Sequence, residues 1–246
     1  MTDVRIVTLN ECPSTNSELA HLLDAPAGTV VSTRCQTAGR GQRGNTWESA
    51  PGENLTFSIL LRPTAIEAAR QFEVSMLVSL AIVDTIDAVL GSVGSSLRAE
   101  IKWPNDIYVA DRKVCGILIE NTLTGSRIER CIVGIGLNVN QTVFVSDAPN
   151  PASLSTFTGR RFNTEDILES LCSNIVRYVD HYVATPHPEE LTARYMSRLW
   201  RRSGQWPFVT PAGERFEASI VSVAPDGILT LSGNRYFAFK EVAFVL

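Results

Sequence analysis

Between residues 98 and 139, four strand-like runs (98–102, 107–109, 114–120 and 128–139) follow one another with only turn signals between them, at Pro104, Asp111 and Gly125. Gaps this short join neighbouring strands as antiparallel hairpins, because a parallel pair needs a crossover of about a dozen residues or more. This stretch commits the chain to a sheet in which hairpins dominate.

The flanking sequence supplies further elements. Residues 4–9, 29–33 and 54–61 read as strands, the second rich in β-branched side chains. Thr15 and Glu18, three apart, offer a capping box ahead of apolar Leu19, Leu22 and Leu23. Val74, Leu77, Val78, Ala81, Ile82, Ile86 and Val89 recur at three and four, which predicts one amphipathic helix that ends at Gly91 and covers a sheet. Thr164 opens another helical pattern, with Glu165 and Asp166 at the positive end of its dipole, and a second lies near 189–199. From Trp206 onward the pattern turns to short strands at 207–210, 215–223, 227–231 and 236–239, with turns at Ala212-Gly213, Asp226-Gly227 and Gly233-Asn234. That tail reads as a small β-barrel.

Composition narrows the function classes. A chain of 246 residues makes one or two domains and can bury a core without staples. Its net charge of −4, with no Lys/Arg block longer than two, leaves no electrostatic footprint for nucleic acid. Cys12, Cys35, Cys115, Cys131 and Cys172 are odd in number, widely spaced and without a C-x-x-C, which fits reduced thiols in a cytoplasmic protein. The start lacks a secretion pattern, and the apolar stretch 74–83 is shorter than the about 20 residues that span a bilayer, so no membrane role is expected.

Residues 36–52 carry Gly39, Gly41, Gly44, Pro51 and Gly52 and few apolar side chains, and a loop of that length inside a compact domain is usually functional. Gly39 to Gly44 formally match G-x-G-x-x-G, but Pro51 and Gly52 stand where a dinucleotide-binding helix would begin, which excludes that reading. What remains is a glycine-rich loop with Arg40 and Arg43 suited to carboxylate or phosphate oxygens and Trp47 free to stack on a planar base. A solvated surface loop would show the same composition.

The second constellation is Lys102-Trp103-Pro104-Asn105-Asp106-Ile107, with Lys113 seven residues after Asp106 and then Gly116-Ile117-Leu118-Ile119-Glu120. If 107–109 and 114–120 form a hairpin turning at 110–112, Lys113 and Asp106 meet at one point. An ammonium there neutralises charge developing on a carboxylate or phosphate, and Gly116 lets a ligand approach the backbone. A surface lysine near a turn is the plainer alternative.

Taken in order, Ser14-Thr15-Asn16, the run from Gln36 through Gly44 to Trp47, Lys102 to Ile107, and Lys113-x-x-Gly116 to Glu120 resemble the biotin protein ligases. The resemblance covers about residues 14–138 with specific motifs and the remainder more loosely. It implies an α/β (α+β) catalytic domain, a mixed β-sheet with helices packed on one face, over 1–200, then a small SH3-like β-barrel over 201–246. It further implies a two-step acyl transfer. Biotin's carboxylate attacks the α-phosphate of ATP, supplied with Mg2+, to give biotinyl-5′-AMP, and a lysine of a biotin carboxyl carrier protein then displaces AMP.

Carried over by position, Ser14, Thr15, Asn16 and Gln36 contact biotin, with Gly39, Arg40, Gly41, Gln42, Lys113 and Gly116 completing that subsite. Arg43, Trp47, Asn105, Asp106 and Asn138 line the nucleotide side. Lys113 is the catalytic cation, assisted by Arg40 and by Asp106, which orients either the incoming amine or a magnesium ion; the metal ligands stay open. Gln42 stands where some relatives carry an arginine, which lowers the charge of the loop. Only 13 residues precede Ser14, too few for a helix-turn-helix domain, so no DNA binding is expected, and the chain is a monomer or a homodimer.

A lipoate or octanoate attachment enzyme is the runner-up, disfavoured by residues 102–107 and by the two loop arginines. A pure biotin-binding module would have no use for Lys113. His21, His181 and His187 lack metal spacing, Cys115 reads as packed, and Trp200 and Trp206 are expected to pin the two domains together.

Overall fold

A computed structural model describes residues 1–146 and 148–246, Arg43 by its backbone alone. Seven strands form one sheet: β1 (Arg5–Leu9), β2 (Thr29–Thr33), β3 (Leu55–Leu61), β4 (Ala99–Lys102), β5 (Asp106–Val109), β6 (Arg112–Thr124) and β7 (Arg127–Leu137). Their order is β1-β2-β3-β7-β6-β5-β4. The β4–β5, β5–β6 and β6–β7 neighbours are antiparallel hairpins, as the crowding of strands requires, and β1 with β2 is the parallel pair that makes the sheet mixed. Ala110 and Asp111, at φ 45° and 62°, form the tight turn from β5 to β6.

Alternation along the strands separates the two faces of the sheet. Val30, Ile59, Leu61, Val133, Ile135 and Leu137 enter the main core, which is completed by α2 (Phe72–Ser92), α4 (Thr164–Ala184) and α5 (Pro188–Ser197). Asn163 caps α4 by accepting the Glu165 N–H at 2.9 Å. The opposite face carries α1 (Thr15–His21), whose Leu19 packs with Val31, Leu60 and Ile132 in a separate small cluster. The expectation of helices on one face therefore holds for the long helices and not for α1.

Two local expectations are corrected, and one helix lies where none was expected. α2 is 21 residues long, and by length and composition it could cross a bilayer. It is the central core helix, covered by the sheet and by α4 and α5, so burial reaches Met76, Leu80 and Val83 as well as the expected stripe. The capping box at Thr15 and Glu18 does not form, because Ser14 takes the cap position and the Thr15 side chain is engaged elsewhere. A helix α3 (Leu154–Thr158), with a true capping box between Ser153 and Thr156, lies in a stretch that carries no long apolar period.

The C-terminal segment holds β8 (Trp206–Val209), β9 (Arg215–Ala218), β10 (Ile220–Val223), β11 (Leu229–Leu231), β12 (Arg235–Phe237) and β13 (Ala243–Phe244) in two three-stranded sheets, β13-β8-β9 and β10-β11-β12. The single run expected over 215–223 breaks at Ser219 and so passes from one small sheet to the other, as an SH3-like module requires. Its aromatic core is continuous with that of the large sheet. Trp200 packs on Tyr108 (5.1 Å between ring centroids) and on Phe244 (5.2 Å), and its indole N–H donates to Asp111 Oδ1 at 2.6 Å. Trp206 reaches that junction through Arg201, whose guanidinium lies between the Trp200 and Trp206 rings at 4.0 and 4.4 Å. Trp103 adds a second tie, donating from Nε1 to the Gly227 carbonyl at 3.0 Å.

Candidate active site

The face of the sheet left open by the long helices is floored by glycine. Gly134 and Gly136 alternate with the core residues of β7, and Gly116 is their neighbour on β6. A Cβ at Gly134 would lie 2.2 Å from Asn16 Oδ1, one at Gly136 would lie 2.3 Å from the Trp47 ring, and one at Gly116 would lie 2.9 Å from that ring. Only bare backbone lets α1 and the Trp47 indole come this close.

At one end of this floor stands a polar cluster. The Thr15 N–H donates to Gln36 Oε1 at 2.9 Å and its hydroxyl to the same atom at 3.3 Å. Ser58 Oγ lies 2.7 Å from Thr15 Oγ1 and 2.5 Å from Asn16 Oδ1. Asn16 Nδ2 donates to Glu120 Oε2 at 2.6 Å. Thr15, Asn16 and Ser58 are all buried, so these bonds replace water that the side chains have lost, and Ser14 is buried beside them.

At the other end, Lys113 Nζ lies 2.7 Å from Asp106 Oδ1, and Lys102 Nζ lies 3.9 Å from Asp106 Oδ2. A β-bulge makes this geometry. Tyr108 pairs with Lys113 but Ile107 with Cys115, so the extra residue Val114 shares the core side with Cys115 and turns Lys113 toward the open face. The Lys113 backbone is clamped by Asn150 and Ala152 through bonds of 3.1 and 2.9 Å. Burial pushes the Lys102 ammonium below its usual value, opposed by the Asp106 carboxylate and assisted by Lys113. Burial likewise pushes the Cys115 thiol up, in keeping with a packed side chain and not a nucleophile.

The glycine-rich loop folds over the floor as a short tongue. Gly41 N–H bonds the Asn45 carbonyl at 2.7 Å and Trp47 N–H bonds the Gly39 carbonyl at 3.1 Å, close enough that a Cβ at Gly39 would sit 2.7 Å from the Trp47 carbonyl oxygen. Trp47 covers Gly116 and Gly136 with its Nε1 buried and unpartnered, and Lys113 Nζ stands 5.6 Å from its ring centroid. Beyond the tongue, Glu48 accepts from the Val145 and Ser146 N–H groups and from Gln141, tying the loop to residues 141–146. Beneath them lies a cavity of about 1090 Å3, whose far wall is Val209, Phe239 and Phe244 of the C-terminal module.

Of the expected site residues, Ser14, Thr15, Asn16, Gln36, Gly41, Gln42, Trp47, Asn105, Asp106, Lys113, Gly116 and Asn138 all line this cavity. Asn105 spends its amide on the Ile117 carbonyl at 2.8 Å, and Asn138 binds the Ala152 carbonyl at 3.1 Å, leaving Oδ1 buried without a partner. Gly39 shapes the tongue from behind. Arg40 lines the cavity but is not brought to Lys113; its guanidinium pairs with Glu120 at 3.4 Å. The Arg43 side chain lies outside the described residues. Gly134, Gly136 and Ser58 were absent from the expected set, although Gly-x-Gly inside a strand signals a close backbone approach, while Lys102 and Glu120 stood in the motifs without a role. Among the described residues no group of three or more His, Cys, Asp or Glu side chains could hold a metal ion.

Residues 9–138 match the model of the biotin/lipoate A/B protein ligase family, more than half of the chain. The chain belongs to that family. It is 33% identical over 172 residues to the biotin--[acetyl-CoA-carboxylase] ligase of Paracoccus denitrificans, covering 67% of this chain and 69% of that protein. It is 33% identical over 168 residues to the bifunctional ligase/repressor BirA of Bacillus subtilis strain 168, covering 66% of this chain. There the match spans about half (49%) of the relative's length. In fold, the chain resembles the biotin protein ligase from Aquifex aeolicus in complex with biotin and ATP, with a TM-score of 0.79, 22% identity and 97% of both chains covered.

Proposed function

We propose that this family member is a biotin protein ligase, which activates biotin with ATP to biotinyl-5′-AMP and transfers the biotinyl group to a lysine of a biotin carboxyl carrier domain. The observation that carries the reading is the polarity of the glycine floor. It runs from a neutral hydrogen-bonding cluster at Thr15, Asn16 and Gln36 to the Lys113–Asp106 pair. A ligand with an amide-like ring at one end and a carboxylate at the other matches both ends. The Paracoccus and Aquifex relatives, named for biotin, support the same choice.

Lys113 draws the biotin carboxylate and the α-phosphate to one point and offsets the charge as they join. A carboxylate oxygen forms the bond to the α-phosphorus, the bond to the bridging oxygen breaks, and pyrophosphate leaves. In the second step the acceptor amine attacks the acyl carbon, AMP departs with the bonding electrons, and Asp106 orients the amine. Lys113 acts as a cation and forms no covalent bond. Trp47 and the tongue exclude water from the acyl phosphate. A magnesium ion would be held by the substrate phosphates and the Asp106 carboxylate, and would supply neutralisation of the phosphate charge. Biotin, ATP and the carrier lysine are the partners in this cytoplasmic reaction, with no part for DNA or a membrane.

Pyrophosphate release tests the reading. Release with ATP and biotin is expected, and none with ATP and lipoate. Release with lipoate alone would make the chain the sister enzyme of the same family.

A further inference from the structure

Arg40 faces the Glu120 carboxylate as a fork, Nη1 to Oε1 and Nη2 to Oε2 both at 3.4 Å, with Ser17 Oγ 3.3 Å from Nη2. Glu120 is itself fixed, since its Oε2 accepts from Asn16 Nδ2 and Asn16 lies wedged over Gly134. Arg40 and Glu120 are 46% and 41% exposed, so the ion pair is in contact with water and is readily exchanged for a better anion. Glu120 stands seven residues along β6 from Lys113, about 20 Å of extended strand. A guanidinium on Glu120 is therefore away from the anion point at Lys113.

We propose that Glu120 is a positioning residue that catches Arg40 and holds the glycine-rich tongue in a resting place until an anionic substrate wins the guanidinium away. The identity of that anion, the carboxylate or phosphate of the acyl adenylate, rests on the ligase reading; the catch itself does not. One carboxylate thus does two things. It orders Asn16 in the wall of the site, and it competes with the ligand for the loop's arginine. Glu120→Gln separates them, because a glutamine oxygen still accepts from Asn16 while the charge that holds Arg40 is gone.

Trypsin cleavage after Arg40 in the ligand-free protein reads the catch directly. At low salt, Glu120→Gln is expected to be cut faster by about two- to fivefold, the ratio a surface ion pair supports. Wild type is expected to approach the variant's rate at about 0.5 M salt, where screening acts within a few ångströms. Equal rates at low salt overturn the proposal. Should the variant not fold, wild type alone decides: cleavage after Arg40, relative to a free peptide of the same sequence, must climb with salt, and a flat ratio contradicts the catch. In pyrophosphate release, Glu120→Gln is expected to lower the KM for ATP, and the change should vanish in an Arg40→Ala background. A raised KM would mean that Glu120 only supports the wall. If wild type releases no pyrophosphate at all, the ligase reading fails while the proteolysis result still stands.

Discussion

Lys113 and Asp106 come from opposite strands of one hairpin and meet at 2.7 Å because the Val114 bulge turns Lys113 away from the core. Were β6 regular through Val114, strand alternation would put Lys113 on the side of Cys115, two residues on, where the long helices lie. A one-residue irregularity thus brings the Lys113 ammonium to the Asp106 carboxylate, closer than Lys102 at 3.9 Å.

Lys113→Ala removes that ammonium and leaves Asp106 to Lys102 at 3.9 Å. Biotin binding by calorimetry is expected to stay within about tenfold, while adenylate formation, read as pyrophosphate release, falls by roughly a hundredfold or more, the scale of a lost charge-stabilising group. Equal activity would remove Lys113 from the chemistry.

Gly136→Ala puts a methyl group 2.3 Å from the Trp47 ring, so the indole must lift off β7. The tongue is a surface loop and yields before the sheet does. Biotin affinity is expected to fall by about tenfold or more, with a melting shift of only a few degrees. Unaltered affinity would mean that Trp47 does not need the bare floor.

Trp200→Ala empties the junction between the large sheet and the C-terminal module, where the ring contacts Tyr108 and Phe244. Urea unfolding is expected to show a loss of about 3–5 kcal/mol. Trp200→Phe should cost less, because Asp111 is exposed and water can replace the indole N–H. Equal costs for the two would place the stability in the hydrogen bond instead of the packing.

Glu48 couples the tongue to residues 145 and 146, and its carboxyl is held below the usual 4.5. Burial opposes the charge, but the hydrogen bonds from Ser146, Val145 and Gln141 outweigh it. The stabilisation is complete above the unfolded value and fades as pH falls through the folded one. Wild type should therefore exceed Glu48→Gln in stability by a margin that is constant above about pH 4.5 and shrinks below it. A margin independent of pH would contradict this.

The hairpin sheet, the long helices and the meeting of Lys113 with Asp106 were legible because each rests on local periodicity and turn chemistry. The glycine floor was not, since Gly134 and Gly136 read as part of one apolar run over 128–139, and only the register with β3 and β6 assigns them to the open face. The false capping box has a similar origin. Thr15 is locally suited to cap, but Gln36, 21 residues away, takes its N–H and its hydroxyl. Arg40 was singled out as an anion-seeking side chain for a ligand, and its partner here is 80 residues distant, on a strand whose outward position no spacing reveals.

The central claim is tested most directly by mass spectrometry of a purified biotin carboxyl carrier domain incubated with this protein, biotin, ATP and magnesium, beside reactions lacking ATP or given lipoate. The expected result is a gain of one biotinyl group on the carrier, seen only with ATP and biotin together. An unmodified carrier, with biotin still bound tightly by the protein, would contradict the account and leave a binding module in place of a ligase.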